Sequence, residues 1–205
     1  MGNPWLNIPL RDYEEHMCSR NVAQLDMLAE LFERSLTICR PDSLAILGIA
    51  GGNGLDRVDL RSTKRILGVD IHPDYLESVR ERYPGLPLKL VCMDLQRETL
   101  DETPVQLVHA ALVFEHAGTD QCLRNAVSLV RDDGFLSVVL QLPSNADTPV
   151  SQTSVLSMQQ LSGHFRFVDK GNLIAAVGGF GFSLFYELRH ELPAGKSFWL
   201  GIFKR

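Results

Sequence analysis

Four glycines fall within seven residues directly after an apolar run, in LAILGIAGGNG at residues 44–54. Glycine loses more conformational freedom on folding than any other residue. A chain therefore keeps such a cluster where its backbone must turn sharply or lie close to something. LAILGI reads as a strand and GLDRVDL, after the turn, as a helix. In an open parallel sheet, ligands bind beyond the C-terminal ends of the strands. The first turn of a following helix points free amides at such a ligand. Ala50, Gly51, Gly52, Asn53 and Gly54 are thus expected to cradle a ligand, with Asn53 capping the helix.

The chain around this turn alternates. RILGVDI, LPLKLVC, VQLVHAALVF and GFLSVVLQL read as further strands, the last entered through a turn at Asp133-Gly134. HPDYLESVRERY, opened by Pro73, and QCLRNAVSLV read as helices between them. Several of the strands are unbroken apolar runs, as expected where both faces of a sheet are covered. The alternation predicts an α/β fold with a parallel sheet and helices on both sides. A helix at NLIAAVGG then leads to FSLFYELRHEL, PAGK and SFWLGIFKR, two strand-like runs joined by four residues. These predict an antiparallel C-terminal hairpin. Upstream, Val22, Leu25, Leu28, Phe32 and Leu36 mark one face of an amphipathic helix, with Asn21 as its cap and Pro41 beyond its end. Residues 1–20 read as an irregular arm with a short helix.

Two acids stand in register with the glycine turn. Asp70 ends the second strand about 20 residues after the turn, where an acid commonly binds ribose hydroxyls. Asp94 ends the third strand. A single strand-end Asp is as often a turn former. A glycine turn and two acids at the ends of three consecutive strands are harder to attribute to turns alone.

Over residues 42–142 the sequence resembles the class I S-adenosylmethionine-dependent methyltransferases. That family's first motif, an acid followed two residues later by GxGxG, aligns with Gly48-Ile49-Ala50-Gly51-Gly52-Asn53-Gly54. The resemblance assigns Asp70 to both ribose hydroxyls, Ile71 to packing on adenine, and Asp94 and Leu95 to the adenine amino group and ring. LVFEHA, with Phe114 in the cofactor wall, is similar to the family's segment after the fourth strand. LVRDDGFLSVVLQ is similar to its entry into the fifth. The implied fold is a Rossmann-like three-layer sandwich. Its sheet is seven-stranded and mostly parallel with the antiparallel hairpin at its end, preceded by N-terminal helices. The implied cofactor is S-adenosylmethionine. The motif-one acid is replaced by Gly48 and the first GxGxG glycine by Ala50. These departures keep a non-catalytic cofactor-binding or partner-binding module as the alternative. A dinucleotide site would need GxGxxG, and Arg57 breaks that pattern from Gly52, leaving a nicotinamide-dependent oxidoreductase third.

The acceptor is expected beyond strands four and five, where the cofactor supplies the chemistry and the protein supplies position and a base. His116 is one candidate base, since imidazole titrates near neutral pH. Its neighbour Glu115 reads as a helix-start residue, and His109 as a hydrogen-bonded core histidine. In the arm, Tyr13, His16 and Met17 share one face if DYEEHM is helical, which makes Tyr13 and His16 further catalytic candidates. Arg11 or Arg20 could meet the methionine carboxylate. Gln141 could line the acceptor cleft, and residues 143–165 read as a substrate loop or a plain surface connection.

The 205 residues suit one domain, an arm at 1–40 and a Rossmann-like core at 42–205. A net charge of −5 with no lysine or arginine run gives no strong nucleic-acid signal, and a small-molecule acceptor is expected. No apolar run is long enough for a bilayer. Cys18, Cys39, Cys92 and Cys122 form no CxxC pair, which reads as reduced thiols without a metal site. Residues 1–10 show no basic-then-apolar signal, so a cytoplasmic location is expected. Oligomeric state is not legible.

Overall fold

The computed structural model of the protein describes residues 3–19, 22–143, 155–161, 163–192 and 195–205. A 3₁₀ turn at Pro4–Asn7 precedes α1 (Leu10–Cys18) and α2 (Gln24–Cys39). The core follows: β1 (Ser43–Leu47), β2 (Arg65–Asp70), α3 (Pro73–Arg82), β3 (Leu88–Cys92), β4 (Val105–Ala111), α4 (Phe114–Ala117), α5 (Gln121–Ser128) and β5 (Val130–Leu142). A 3₁₀ segment at Leu156–Leu161, α6 (Lys170–Gly179), β6 (Ser183–Glu191) and β7 (Ser197–Lys204) complete it. All seven strands form one sheet in the order β3-β2-β1-β4-β5-β7-β6. The first five are parallel neighbours, and β7 pairs antiparallel to both β5 and β6.

Two apolar layers sandwich this sheet. Met27, Leu31 and Phe32 of α2 pack with Leu76 and Val79 of α3 on one face. Phe114, Leu123, Ala126, Leu173 and Val177 from α4, α5 and α6 pack on the other. Burial on both faces is why β1, β2 and β7 carry continuous apolar runs. The expected three-layer sandwich with its antiparallel end is thus the observed fold.

Local expectations fared unevenly. Pro73 occupies the first turn of α3 and His72 caps it, its ring accepting the Asp74 amide. α2 buries a face centred on Leu28, Leu31 and Ser35, while Leu25 and Leu36 are half-buried at its margin. Its expected cap, Asn21, lies outside the described residues. β5 spans the expected Asp133-Gly134 turn, but its pairing with β4 breaks there, the register jumping from Val105–Val130 to Leu107–Phe135. The largest departure is after β1. GLDRVDL forms only a three-residue 3₁₀ turn, Leu55–Arg57, behind Gly54 in a left-handed conformation. Its apolar pattern stops at Leu55 and Val58. Asp59 then accepts the Arg61 amide in a local turn that competes with helix. Asn53 therefore caps no helix, and its amide donates to the Leu25 carbonyl of α2 instead.

A buried polar chain ties α2 to the sheet. The Ser35 hydroxyl donates to the Leu31 carbonyl and meets Ser137 Oγ at 2.8 Å, which meets His109 Nδ1 at 3.0 Å. His109 is the expected core histidine, and burial lowers its pKa to about 3. With Ser35 donating onward, Ser137 donates to Ser35 and accepts from Nδ1–H, which sets the neutral tautomer.

β7 shows how tightly the sheet is packed. A methyl group added at Gly201 would fall inside the Trp199 ring. Gly201→Ala is expected to destabilise the protein by about 3 kcal/mol in urea denaturation. Gly181→Ala, where no atom lies within 4 Å, tests the backbone cost alone because its φ is +87°.

Candidate functional site

The C-terminal edges of β1, β2, β3, β4 and β5 open into one cleft of about 1040 Å³, its mouth included. Gly48 and Ala50 follow β1, Asp70 and Ile71 follow β2, and Met93, Asp94 and Leu95 follow β3. Leu112, Val113 and His116 follow β4, and Gln141 ends β5. The N-terminal arm roofs the cleft with Trp5, Tyr13, His16, Met17 and Gln24. Met158, Leu161 and Phe165 complete the roof. Ile8, Val155, Met158 and Leu161 form a small core of their own with Trp5 and Tyr13, and Ser157 donates to Asp12 at 2.6 Å. The roof is therefore a packed layer and not a loose arm. The part of the 143–165 segment at 144–154 lies outside the described residues.

Asp70 organises the floor. Its Oδ2 accepts the Ala50 amide at 2.8 Å and its Oδ1 accepts the His72 amide at 3.0 Å. Burial outweighs these bonds and raises its pKa. Each oxygen keeps a second lone pair for a ligand hydroxyl. Ala50 pays backbone strain to make this bond, with φ at +45° where glycine is usual. Asp94 accepts the Gln96 amide at 3.0 Å and reaches Arg97 at 3.7 Å.

The rest of the turn lies beside this cleft, and Gly51 and Asn53 line an adjoining cavity together with Tyr13, Gly48 and Ala50. Gly51 packs where a Cβ would meet Glu14 and Arg82, Gly52 against Tyr83 and Leu55, and Gly54 against Phe32 and Ala29. None of these three, nor Asn53, lines the main cleft. α1, α2 and the end of α3 pack on the turn here, and Gly52 and Gly54 also hold φ at +81° and +84°. Glu14 and Arg82 form an ion pair across it, and Arg82 also donates to the Gly51 carbonyl at 3.2 Å. Only Gly48 and Ala50 of the expected cradle face the cleft.

Gly48 also answers why motif one has no acid. Its φ is +68°, and a Cβ there would stand 2.7 Å from Val113 Cγ2. A side chain is excluded by the backbone conformation and by a neighbouring strand end at once. Phe114 was expected in the cofactor wall but is buried in the core under α4. The chain bends at Leu112, with φ at +56°, and Val113 takes the wall position.

His116 stands between the Trp5 ring, 4.9 Å away, and the Phe165 ring, 5.3 Å away. Its Nδ1 is sealed from solvent and has no partner among the described residues. Burial, and next the charge of His164, lower its pKa to about 4. His16 is likewise lowered to about 4, by burial and then by Lys196. Both imidazoles are neutral at pH 7 and able to accept a proton. Tyr13 is different: burial, then Asp70 and Glu14, push its phenol up, so it serves as a hydrogen-bond donor and not as a base. Arg11 is exposed, away from the cleft, and Arg20 lies outside the described residues.

Glu115 stands in the first turn of α4, as expected, but faces inward. It is buried under the one-turn α4, with Oε1 accepting the Gln141 amide at 2.8 Å and Oε2 unpartnered among the described residues. Burial raises its pKa to about 8. Sequence reading also missed Lys196, which is 4 % exposed and lines the cleft. It was read as a turn residue, but Leu192 donates to its carbonyl, so it extends the β6–β7 ladder inward.

Residues 46–134 match the family described as a methyltransferase domain. Among solved structures, the chain is similar to the N-methyltransferase NodS from Bradyrhizobium japonicum WM9 in complex with S-adenosyl-L-homocysteine. The identity is 14%, the TM-score 0.64, and the match covers 89% of this chain and 87% of that one. It is similar to an S-adenosylmethionine-dependent methyltransferase from Mesorhizobium loti at 16% identity and TM-score 0.64, covering 88% and 100%. It is also similar to the magnesium protoporphyrin IX methyltransferase from Synechocystis PCC 6803, solved with bound S-adenosylhomocysteine. There the identity is 12% and the TM-score 0.63, covering 87% and 83%. No curated protein matches the chain in sequence. The chain shares its fold with these methyltransferases, and residues 46–134 match a methyltransferase domain.

Two outcomes follow from this geometry. Gly48→Asp is expected to cost about 3 kcal/mol by overpacking and left-handed strain. Combining it with Val113→Ala recovers part of that loss, measured as a double-mutant cycle in chemical denaturation. Glu115 has a folded pKa near 8 against an ordinary 4.5, so its contribution is complete below pH 4.5 and is lost as pH rises toward 8. Histidine titrations destabilise only below their unfolded pKa of 6.5. Between pH 6.5 and 8, thermal stability should therefore fall by up to about 2 kcal/mol through Glu115. Glu115→Gln should flatten that decline.

Proposed function

We propose that this methyltransferase transfers a methyl group to a nitrogen or oxygen of a small molecule held under the arm. The observation that carries the proposal is the roofed cleft, which joins Asp70 and Asp94 at one end to His116 and Gln141 at the other. The residues present fit S-adenosylmethionine: two strand-end carboxylates for a ribose and an amino group, Ile71 and Leu95 for a flat ring, and open backbone at Gly48. The bound cofactor would supply an electrophilic methyl on a sulfonium.

The chain's own part is to bind, orient and exclude water. Asp70 holds the turn and keeps lone pairs for ribose hydroxyls. With no carboxylate at position 48, the amide side chains that line the cleft, Asn3, Gln24 and Gln141, are neutral acceptors for an ammonium group, Asn3 Oδ1 also accepting the Trp5 amide. His116, neutral and with a free Nδ1, takes the acceptor's proton, while Trp5 and Phe165 keep its ring in place. Tyr13 and His16 close the roof and position the acceptor.

The whole chain works as one domain, with residues 1–40 as its covering arm. The size of the cleft and the net charge of −5 favour a small acceptor over nucleic acid. Among the described residues no helix is long and apolar enough to cross a membrane. All four cysteines are free. These features support a reduced, cytoplasmic setting.

Calorimetry should show S-adenosylhomocysteine binding in the micromolar range, none for NAD, and loss of binding in Asp70→Ala. Retained binding in that variant would overturn the cofactor placement. Turnover should fall about 10²-fold in His116→Ala with cofactor affinity unchanged. Binding without turnover across a broad acceptor panel would instead favour a binding module.

A further inference from the structure

A second cavity lies behind the turn after β1, on the α2 side of the sheet. It spans about 840 Å³, its mouth included, and shares Tyr13, Gly48, Ala50 and Ala111 with the main cleft. Its buried wall is apolar, from Leu28 and Phe32 of α2, Ile46 of β1 and Ile49 beyond it. Its mouth is polar, at Asn53 and the Glu14–Arg82 pair. His109 also stands in the buried wall, 4 % exposed, its ring 4.8 Å from that of Phe32. On β4, His109 pairs with Ile46 of β1 on one side and Ser137 of β5 on the other. Its Nδ1 turns to Ser137, while the cavity lies on the Ile46 side. The ring edge that carries Nε2 therefore borders the cavity. Among the described residues Nε2 has no partner.

The serine relay behind His109 fixes what Nε2 can do. The Ser35 hydroxyl proton is committed to the Leu31 carbonyl, so Ser137 donates to Ser35 and Nδ1–H donates to Ser137. The neutral imidazole then carries no proton on Nε2, which is an acceptor only. A buried acceptor left unpaired is unfavourable. Water suits it poorly, because a buried water takes roughly three partners and apolar Phe32 and Ile46 flank this atom. We propose that the cavity is a second ligand site, taking a small neutral phenol or alcohol whose hydroxyl donates to His109 Nε2 and whose apolar body lies against Leu28, Phe32 and Ile46. The buried wall offers no charged partner, so burying an ionised ligand there is disfavoured. The site is separate from the use made of the cleft, and its occupant rests against the back of the turn that floors it.

The test titrates p-cresol and 4-fluorotoluene, a molecule of nearly the same shape without a donor, into the full chain by calorimetry. Each titration is run with and without saturating S-adenosylhomocysteine. p-Cresol should bind about tenfold tighter than 4-fluorotoluene, as one hydrogen bond to a buried acceptor requires. It should also move the nitrogen NMR resonance of His109 Nε2 several times further than 4-fluorotoluene does. In a cooperatively melting His109→Phe the two should bind alike. No binding of p-cresol, equal binding of both by the parent, an unmoved Nε2 resonance, or a preference that survives His109→Phe would each overturn the proposal. The resonance is read on the parent, so it decides the matter even where His109→Phe does not fold. Displacement of p-cresol by S-adenosylhomocysteine would also overturn it, since the cavity would then belong to the cleft. If the parent does not bind S-adenosylhomocysteine, the titrations without it still decide the proposal, and that failure counts against the methyltransferase reading alone.

Discussion

The carboxylate of Asp70 holds the site together. By accepting the amides of Ala50 and His72 it fastens the turn after β1 to the end of β2. It also holds Ala50 in a left-handed conformation that an alanine adopts only when its surroundings demand it. The bond keeps Gly48 and Ala50 open to the cleft. It lets one residue shape the cradle and still offer lone pairs to a ligand. Its burial raises the cost of leaving it unbonded, and a bound ligand with hydroxyl donors would reduce that cost.

The roof is the second constraint. α1 lies over the glycine turn through the Glu14–Arg82 pair and over the cleft through Tyr13, His16 and Met17. The 156–161 segment locks onto it through Ile8, Met158 and Leu161. Aromatic rings enclose His116 and exclude water from it. That enclosure keeps the imidazole neutral and makes a proton transfer to it sensitive to the acceptor in place. The same roof packs on the turn from outside, against Gly51, Gly52 and Gly54, the last two of which also hold a positive φ.

Much of this was legible from local pattern. Asp70, Ile71, Asp94 and Leu95 sit at strand ends, and strand ends in a parallel sheet share one edge, so their meeting follows from alternation alone. Tyr13, His16 and Met17 were legible because helical spacing puts them on one face. Phe114 was misplaced by one position, since the left-handed bend at Leu112 that rotates it into the core has no signal in the sequence. Lys196 was missed because it reads as the last residue of the four-residue turn PAGK. Its burial depends on the arm, nearly two hundred residues earlier. Gln24 was missed for the same reason, as a polar residue at the start of a helix whose cover comes from elsewhere.

The sequence by itself determined the sheet, its antiparallel end and the edge at which the cleft opens, because these depend on periodicity and on short-range turns. Only the tertiary structure decided which glycines face the cleft and which face a helix. It alone showed that position 48 has no room for an acid beside Val113, and that a lysine closes the far end of the cleft. Those outcomes depend on which element covers a residue from across the fold, and no local pattern encodes that.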